Sequence, residues 1–356
     1  MKWESLKTLI NISMEIDNNL LKQIKITPIL DSLKLEDVSD AEYFSKKYSN
    51  YISNSRLGVL KKDGVKAFFE GIPQVYNPYF ETGSLVHQQV LQPEYFQVID
   101  SVFKPTAKAG LMAEALYKND GTTPTDDEIK SQSYIVGYYK DKLTENRIRE
   151  FRQKAGPYWR DRYIFEQNNP FKEGEKQRVY TDEKNFEILN NCLRTLGENQ
   201  DIQKLLHPKG LIEDPVVMNE HTILMDIKME VPDYEPRVYK LKAKLDNFSI
   251  DKEEGIITIN DLKTSSRPID MFNPEYFSYQ REISFYSYLL KLAAQKFFNI
   301  EKPQIKGNFL VVSTVPEYGT CVYPMTQKLF KSGIEEVKYL LKIVAYFNQV
   351  QGYEFQ

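Results

Sequence analysis

The sequence has 356 residues but only two cysteines, Cys192 and Cys321, which lie far apart in the chain. Neither belongs to a Cys-x-x-Cys pair, so the sequence excludes an iron–sulfur cluster and a structural zinc site. A disulfide scaffold is not expected either, because it needs several paired cysteines. This scarcity is typical of proteins that work in a reducing compartment.

Long apolar runs are also absent. No segment approaches the roughly 20 apolar residues that a membrane span needs. The first 20 residues, MKWESLKTLINISMEIDNNL, do not have the pattern of a signal peptide, because Glu4, Lys7, Glu15 and Asp17 interrupt their apolar residues. We therefore expect a soluble, cytoplasmic protein with no membrane partner.

An overall excess of positive charge is missing as well, since the formal net charge is −3. A polyanionic partner would need locally concentrated basic residues. Residues 138–163 hold eight basic and four acidic residues, interleaved with aromatic side chains. One interpretation is a phosphate-binding and base-stacking surface, and the alternative is a solvated helix face with ion pairs. The candidate DNA-binding residues of this stretch are Arg147, Arg149, Arg152, Trp159, Arg160 and Arg162.

What the sequence does contain is a clear order of elements. Residues 1–40 read as short helical pieces, a helix is predicted from near Phe80 to before Pro93, and residues 101–200 read as helical. β-Branched residues and polar alternation then predict strands over 216–231, 237–251, 254–264, 307–315 and 320–326. Helices are predicted over 273–298 and 327–350. This order predicts an α+β (α/β) fold with a mixed central sheet flanked by helices.

The predicted strand that ends in INDLKT carries the main candidate site. Asp261 and Lys263 are two residues apart, so their side chains project from the same face. The preceding strand contains Asp246, which a Gly-containing turn brings beside Asp261. Two adjacent carboxylates favour Mg²⁺, with the Leu262 carbonyl as a further ligand and Lys263 near the attacking water or the phosphate. The alternative is an ordinary solvated strand tip.

Three other stretches add candidates. His87 lies on the inward face of its predicted helix, as a ligand or as a core histidine. Glu282 and Tyr286 are four residues apart on one helix face, which is also expected of a half-exposed helix. Ser53, Ser55 and Arg56, in YISNSRL, suit phosphate contacts, although the same residues suit a helix cap.

Together these stretches resemble a known family. ISNSRL, GSLVHQQVLQPEYF, KLDNF, NDLKT and REISFYSYLL follow one another in the order of motifs typical of the phage RecE-like exonucleases of the PD-(D/E)XK nuclease superfamily. The resemblance spans roughly residues 40–345, and the histidine-containing segment is its most specific part. It implies a restriction-endonuclease-like core at 41–356 with a helical insert at about 101–200, preceded by an N-terminal helical extension at 1–40.

The resemblance also implies roles. His87, Asp246, Asp261 and the Leu262 carbonyl would hold Mg²⁺ or Mn²⁺, Lys263 would be the catalytic lysine, and Glu220 matches a family glutamate of uncertain role. Glu282 and Tyr286 would also act at the site. Glu282 stands where the family has glutamine, so we expect it to contact Lys263 or a metal-bound water. Gln280, two residues earlier on another helix face, is a further candidate for contacting DNA.

The function implied is hydrolysis of linear double-stranded DNA from an end, in phage recombination or replication. The resemblance also implies a single-strand annealing protein as a partner. It implies the host cytoplasm as the location of a phage-encoded enzyme. It leaves open whether the protein forms a homo-oligomer. Two alternatives stay open at this point. One is an endonuclease or structure-specific nuclease with the same site, and the other is a noncatalytic DNA-binding scaffold or counter-defence protein.

Overall fold

The computed structural model describes residues 17–71, 78–138, 143–209, 215–275 and 278–355. The helices are α1 (Asn18–Gln23), α2 (Asp40–Tyr43), α3 (Asn54–Glu70), α4 (Pro78–Leu91), α5 (Ala107–Ala115), α6 (Asp126–Ile135), α7 (Glu145–Asn168), α8 (Glu183–Glu198), α9 (Gln200–Leu206), α10 (Tyr279–Phe297) and α11 (Gln327–Gln349). The strands are β1 (Lys25–Glu36), β2 (Phe96–Asp100), β3 (Gln177–Thr181), β4 (Val216–Glu230), β5 (Arg237–Asp251), β6 (Ile256–Ser265), β7 (Gln304–Ser313) and β8 (Thr320–Pro324).

A six-stranded sheet in the order β1-β4-β5-β6-β7-β8 forms the centre of the fold. All neighbouring strands pair antiparallel except β6 and β7, which are parallel and are connected through α10. The predicted α+β class, with a mixed central sheet flanked by helices, is confirmed. The predicted strands of the second half are all present within a few residues of their expected bounds.

Helices cover both faces of this sheet. On one face α3, α10 and α11 enclose the largest apolar core, which includes Phe248, Phe285 and Phe347. On the other face α4, α8 and α9 pack on Leu262 and Leu310 of β6 and β7. Both sides of β6 are therefore buried, which explains its nearly continuous apolar sequence before Asp261. None of the helices in the described part of the chain is long and apolar enough to cross a membrane.

Two regions differ from the sequence-based expectation. Residues 25–36 form β1 and pair with β4, so the expected helical extension contributes a strand to the central sheet. The region 101–200 contains β3, which pairs with β2 in a small parallel sheet. Within that region α5, α6 and α7 share their own apolar cluster, whereas α8 packs with α9 on β6 and β7 of the central sheet.

The sheet divides where β5 and β6 stop pairing, and we call this division the fork. Pairing between β5 and β6 stops at Asn247 and Asn260, while β6 continues beside β7 as far as Ser265. Meanwhile β5 continues beside β4 as far as Arg237. The edge of β6 that follows Asn260 is thus free of β5, and α4 approaches it. Gly83 permits this approach, because a Cβ atom there would lie 3.1 Å from Thr264 Oγ1.

Candidate active site

The fork brings the predicted carboxylates together. Asp246 and Asp261 stand immediately beyond the last β5–β6 pair, and Asp246 Oδ2 accepts a hydrogen bond from the Leu262 N–H at 2.8 Å. The carboxylate thus replaces the strand partner that Leu262 loses at the fork. Since the N–H and C=O of one strand residue point to the same edge, the Leu262 carbonyl also faces the fork. The structure thus brings Asp246 and Asp261 close together at the fork.

Glu220 on β4 lies beside these two aspartates. We call Glu220, Asp246 and Asp261 the acidic row. Glu220 lies between Asn219 and His221, which pair with Asn247 and Leu245 of β5. Its φ of 51° is left-handed, a conformation that costs on the order of 1–3 kcal/mol for a non-glycine residue. Strain of this kind within a strand is typical of functional positions, and here the strained residue is a carboxylate beside the fork.

His87 projects from α4 toward the same carboxylates. Its Nδ1 lies 3.7 Å from Asp246 Oδ2 and 4.0 Å from Glu220 Oε1. The three side chains offer ligand atoms that all lie within 4.8 Å of one another, an arrangement that can hold a metal ion. Because His87 contacts the acidic row, the core-histidine interpretation is wrong.

Lys263 lies between two carboxylates on the other side of Asp261. Its Nζ is 2.7 Å from Asp261 Oδ2 and 3.0 Å from Glu282 Oε2. Tyr286 in turn donates a hydrogen bond to Glu282 Oε1 at 3.0 Å. The expected contact of Glu282 with Lys263 is confirmed. Glu282 and Tyr286 therefore fix the position of the lysine from α10.

Burial makes this cluster electrostatically unusual. Asp261 is 1% exposed, and apart from the ion pair with Lys263 neither of its oxygens accepts a hydrogen bond from a described residue. Burial, reinforced by Glu282 and Asp246 against the opposing Lys263, raises the pKa of Asp261 well above its ordinary value. Burial and Asp246 raise the pKa of Glu220 to about 8. Buried carboxylates without enough positive charge fit a hard divalent cation.

The pKa values of Lys263 and Glu282 shift in the direction that favours their charged forms, unlike those of Asp261 and Glu220. Burial alone would lower the pKa of Lys263, but Asp261 and Glu282 raise it well above its ordinary value. Burial would raise the pKa of Glu282, yet Lys263 lowers it overall. Both groups therefore stay ionised at neutral pH. The lysine is a permanent cation rather than a base in this state.

A ladder of four asparagines, which sequence reasoning missed, supports the acidic row. Asn219, Asn247, Asn260 and Asn308 face one another on β4, β5, β6 and β7. Their amides form a chain of hydrogen bonds of 2.7, 2.7 and 3.0 Å, and Asn260 also donates to Leu205 O. Glu220, Asp246 and Asp261 are each adjacent in sequence to a ladder residue. The sequence feature that could have revealed this ladder is an asparagine next to each of Glu220, Asp246 and Asp261.

A cleft of about 670 Å³ opens over the fork. His87, Glu220, Asp246, Leu262, Lys263, Glu282 and Tyr286 all line it, as do Ser53 and Ser55. Ser53 and Ser55 reach the cleft because the residue before them, Ile52, pairs with β5 where β6 no longer does. The Ile52 N–H donates a hydrogen bond to Lys240 O, and the Lys242 N–H donates one to Ile52 O. Sequence reasoning also missed Lys242 and Lys244, whose alternation with Asp246 on β5 was the available signal.

Two candidates for contacting DNA near the cleft are wrong. The Arg56 guanidinium donates to the Phe68 and Ser49 carbonyls and packs over Phe68 and Phe355, so its donors are used within the protein. Gln280 is 6% exposed, and α11 covers its helix face through Gly333, which lies against the Gln280 carbonyl.

The predicted arginine surface is only partly exposed. Trp159 is 8% exposed and donates to Ala113 O, so it cannot stack on a base. Arg162 pairs with Glu114 and Glu166 between the rings of Tyr117 and Tyr180, so its assignment to DNA is also wrong. Arg152 pairs with Asp126 at 2.6 Å. Arg149 and Arg160 are exposed, and Arg147 is half-buried.

No protein-family model and no curated protein matches the sequence. Among solved structures, the chain is similar to a "Putative exonuclease" from Eubacterium rectale, with 12% identity over 87% of this chain and 86% of that chain and a TM-score of 0.35. It is also similar to SSO0001, with 10% identity over 74% and 85% of the two chains and a TM-score of 0.25. At these scores neither likeness carries an argument about fold or function.

Proposed function

We propose that this protein is a divalent-metal-dependent deoxyribonuclease that hydrolyses phosphodiester bonds of linear double-stranded DNA from an end. One observation carries the proposal. The buried Asp261 lies beside Asp246, and its only polar partner among the described residues is the ammonium group of Lys263. A folded protein retains such a costly arrangement where a bound ion completes it.

The residues divide into ligands and a cationic partner. Asp246, Asp261 and the Leu262 carbonyl would hold Mg²⁺ or Mn²⁺, with His87 and Glu220 at its outer side. When bound, the metal supplies an activated water and neutralises charge on the phosphate. Carboxylate and carbonyl oxygens suit both ions.

Lys263 has a different task. It keeps its proton between Asp261 and Glu282, so it contributes positive charge where charge develops on the phosphate. Glu282 and Tyr286 hold its ammonium group on the cleft side of β6. The lysine therefore enters the reaction already oriented, and its geometry does not depend on the substrate.

The preference for DNA ends and a role in phage recombination or replication rest on the resemblance of the motifs. Incubation of linear and covalently closed duplex DNA with Mg²⁺, Mn²⁺ or chelator tests them. We expect metal-dependent loss of the linear DNA and survival of the circle. Linearisation of the circle at a similar rate would favour an endonuclease. DNA binding without hydrolysis under any metal would favour a noncatalytic scaffold.

A further inference from the structure

Lys242 is a buried lysine without an acidic partner. It is 8% exposed and lines the cleft, and its Nζ donates a hydrogen bond to Tyr43 O at 2.7 Å. No carboxylate of a described residue forms an ion pair with it, and its neighbour Arg56 is another cation. Lys244, two residues along β5, is instead compensated by Asp40 and Glu220.

The absence of a counter-charge matters because burial of an unpaired ammonium is costly. Burial, with Arg56 adding to it, lowers the pKa of Lys242 to about 8. A methionine of similar length would fill the same space without this cost. The position is therefore better suited to a ligand anion than to packing alone.

Aromatic rings surround this lysine. Its Nζ lies 4.2 Å from the ring centroid of Tyr43, 5.9 Å from that of Phe44 and 5.8 Å from that of Tyr48. Phe44 is 69% exposed, although it lines the cleft and packs edge-on against Tyr43. An anion at Lys242 would thus lie beside a free aromatic face.

The position of Lys242 relates it to the acidic row. Lys242, Lys244 and Asp246 alternate along β5 and therefore share one face of the strand. Four residues of strand separate Lys242 from Asp246, which is about 13 Å at the usual rise. A strand of nucleic acid whose scissile phosphate lay at Asp246 would carry other phosphates along this stripe.

We propose that Lys242 and Phe44 form a nucleotide subsite in which the lysine binds a phosphate and the phenylalanine stacks on a base of an unpaired DNA strand. This inference rests on the proposed function and names the form of its substrate in the cleft. A base inside a duplex is stacked on both faces, so Phe44 can pack only against a terminal base pair or against a base that has left the helix. Because Lys242 is 8% exposed, a single strand reaches its ammonium group more easily than the wider duplex does, so we assign the subsite to single-stranded DNA.

Binding of a fluorescently labelled oligothymidine in EDTA tests the subsite without hydrolysis. Each phosphate contact to a single strand contributes about 0.7 to the slope of log affinity against log salt. We expect Lys242→Met to weaken binding and flatten this slope by about 0.7. Lys242→Arg should keep the wild-type slope. Lys306→Met, which removes an exposed lysine of β7 outside the cleft, is the matched control and should leave the slope unchanged.

Phe44→Ala tests the stacking contact separately. Loss of one aromatic–base stack should weaken oligothymidine binding by about 5- to 150-fold with the salt slope unchanged. Phe171→Ala removes a phenylalanine that is 62% exposed outside the cleft and should have no effect.

The outcomes separate this inference from the proposed function. An unchanged slope in Lys242→Met, or an equal change in Lys306→Met, would overturn the subsite while hydrolysis by the wild-type protein remained informative. Unfolding of Lys242→Met, measured by thermal denaturation, would make the lysine structural and would also overturn it. Binding that follows the expected pattern without hydrolysis under any metal would support the subsite and refute the nuclease.

Discussion

The Leu262 N–H donates a hydrogen bond to Asp246 Oδ2 at 2.8 Å, at the point where β5 and β6 separate. One carboxylate oxygen therefore stabilises the end of the sheet, which leaves the other oxygen for a ligand. The same separation exposes the Leu262 carbonyl edge and admits α4 with His87. The fork thus creates the candidate metal site, and Asp246 has both a structural and a chemical role.

Asp246→Asn should separate these two roles. The asparagine carbonyl can still accept the hydrogen bond from Leu262, so we expect the free energy of unfolding to change by less than about 1 kcal/mol. The lost charge should reduce hydrolysis by two or more orders of magnitude. Chemical denaturation and a nuclease assay measure the two effects. Activity close to that of the wild type would refute the assignment of Asp246 as a metal ligand.

Glu220 gives the metal-free protein a distinctive pH dependence. Its pKa is about 8 in the folded state and its ordinary value is 4.5, so the folded state binds more protons between these values. Stability in EDTA should therefore fall as pH rises through this window. Glu220→Gln cannot ionise, and we expect its stability relative to the wild type to increase from pH 5 to pH 8.5.

Addition of Mg²⁺ at pH 8.5 should reduce the difference in stability between Glu220→Gln and the wild type. The metal stabilises the wild-type protein more, because that protein retains all of its ligands. Denaturant titrations at both pH values, with and without metal, make the comparison. A stability difference that did not depend on pH would show that Glu220 ionises normally in the folded protein.

The sequence predicts the site best where the periodicity of strands is simple. Asp261 and Lys263 share a face because they are two residues apart, and a short turn aligns Asp246 with Asp261. The helix carrying Glu282 and Tyr286 was also predictable, because its apolar spacing is strong. These relationships depend on local geometry, which a sequence records directly.

Contacts between distant segments were not predictable in this way. The arginine-rich stretch has the same composition whether a side chain faces DNA or an internal carboxylate, so Arg162 could not be recognised as the partner of Glu114 and Glu166. Residues 25–36 form a strand because β4 is available to pair with them. Where β5 separates from β6, Ile52 from a distant part of the chain pairs with β5 instead.

The asparagine ladder should couple the stability of the sheet to the affinity for metal. Asn260→Leu leaves the Asn247 side-chain carbonyl and Leu205 O without their donor, which should cost about 1–3 kcal/mol of unfolding free energy. We also expect weaker Mg²⁺ binding, because Asp246 and Asp261 flank the broken link. Calorimetric titration with Mg²⁺ tests the second effect. Unaltered metal affinity in a destabilised variant would restrict the ladder to a structural role.

His87→Ala should weaken the metal site without opening the fork. Its imidazole lies near Asp246 and Glu220, but the Asp246–Leu262 hydrogen bond does not involve it. We expect activity to fall more with Mg²⁺ than with Mn²⁺, which binds the remaining ligands more strongly. His207→Ala is the matched control, because His207 is exposed and does not line the cleft. An equal loss with both variants would remove His87 from the metal site.

The exposed arginines of α7 test whether this helix contributes to binding long DNA. Arg149 and Arg160 are exposed, and each phosphate contact to a duplex contributes about 0.9 to the salt slope. Arg149→Gln with Arg160→Gln should therefore flatten the slope by up to about 1.8 on long duplex DNA, while hydrolysis of a short saturating substrate stays intact. Arg162→Gln is the contrasting variant. It breaks the ion pairs with Glu114 and Glu166, so it should lower the thermal stability of the protein, and the salt slope should not change. Wild-type salt dependence in the double variant would identify α7 as a solvated face that takes no part in DNA binding.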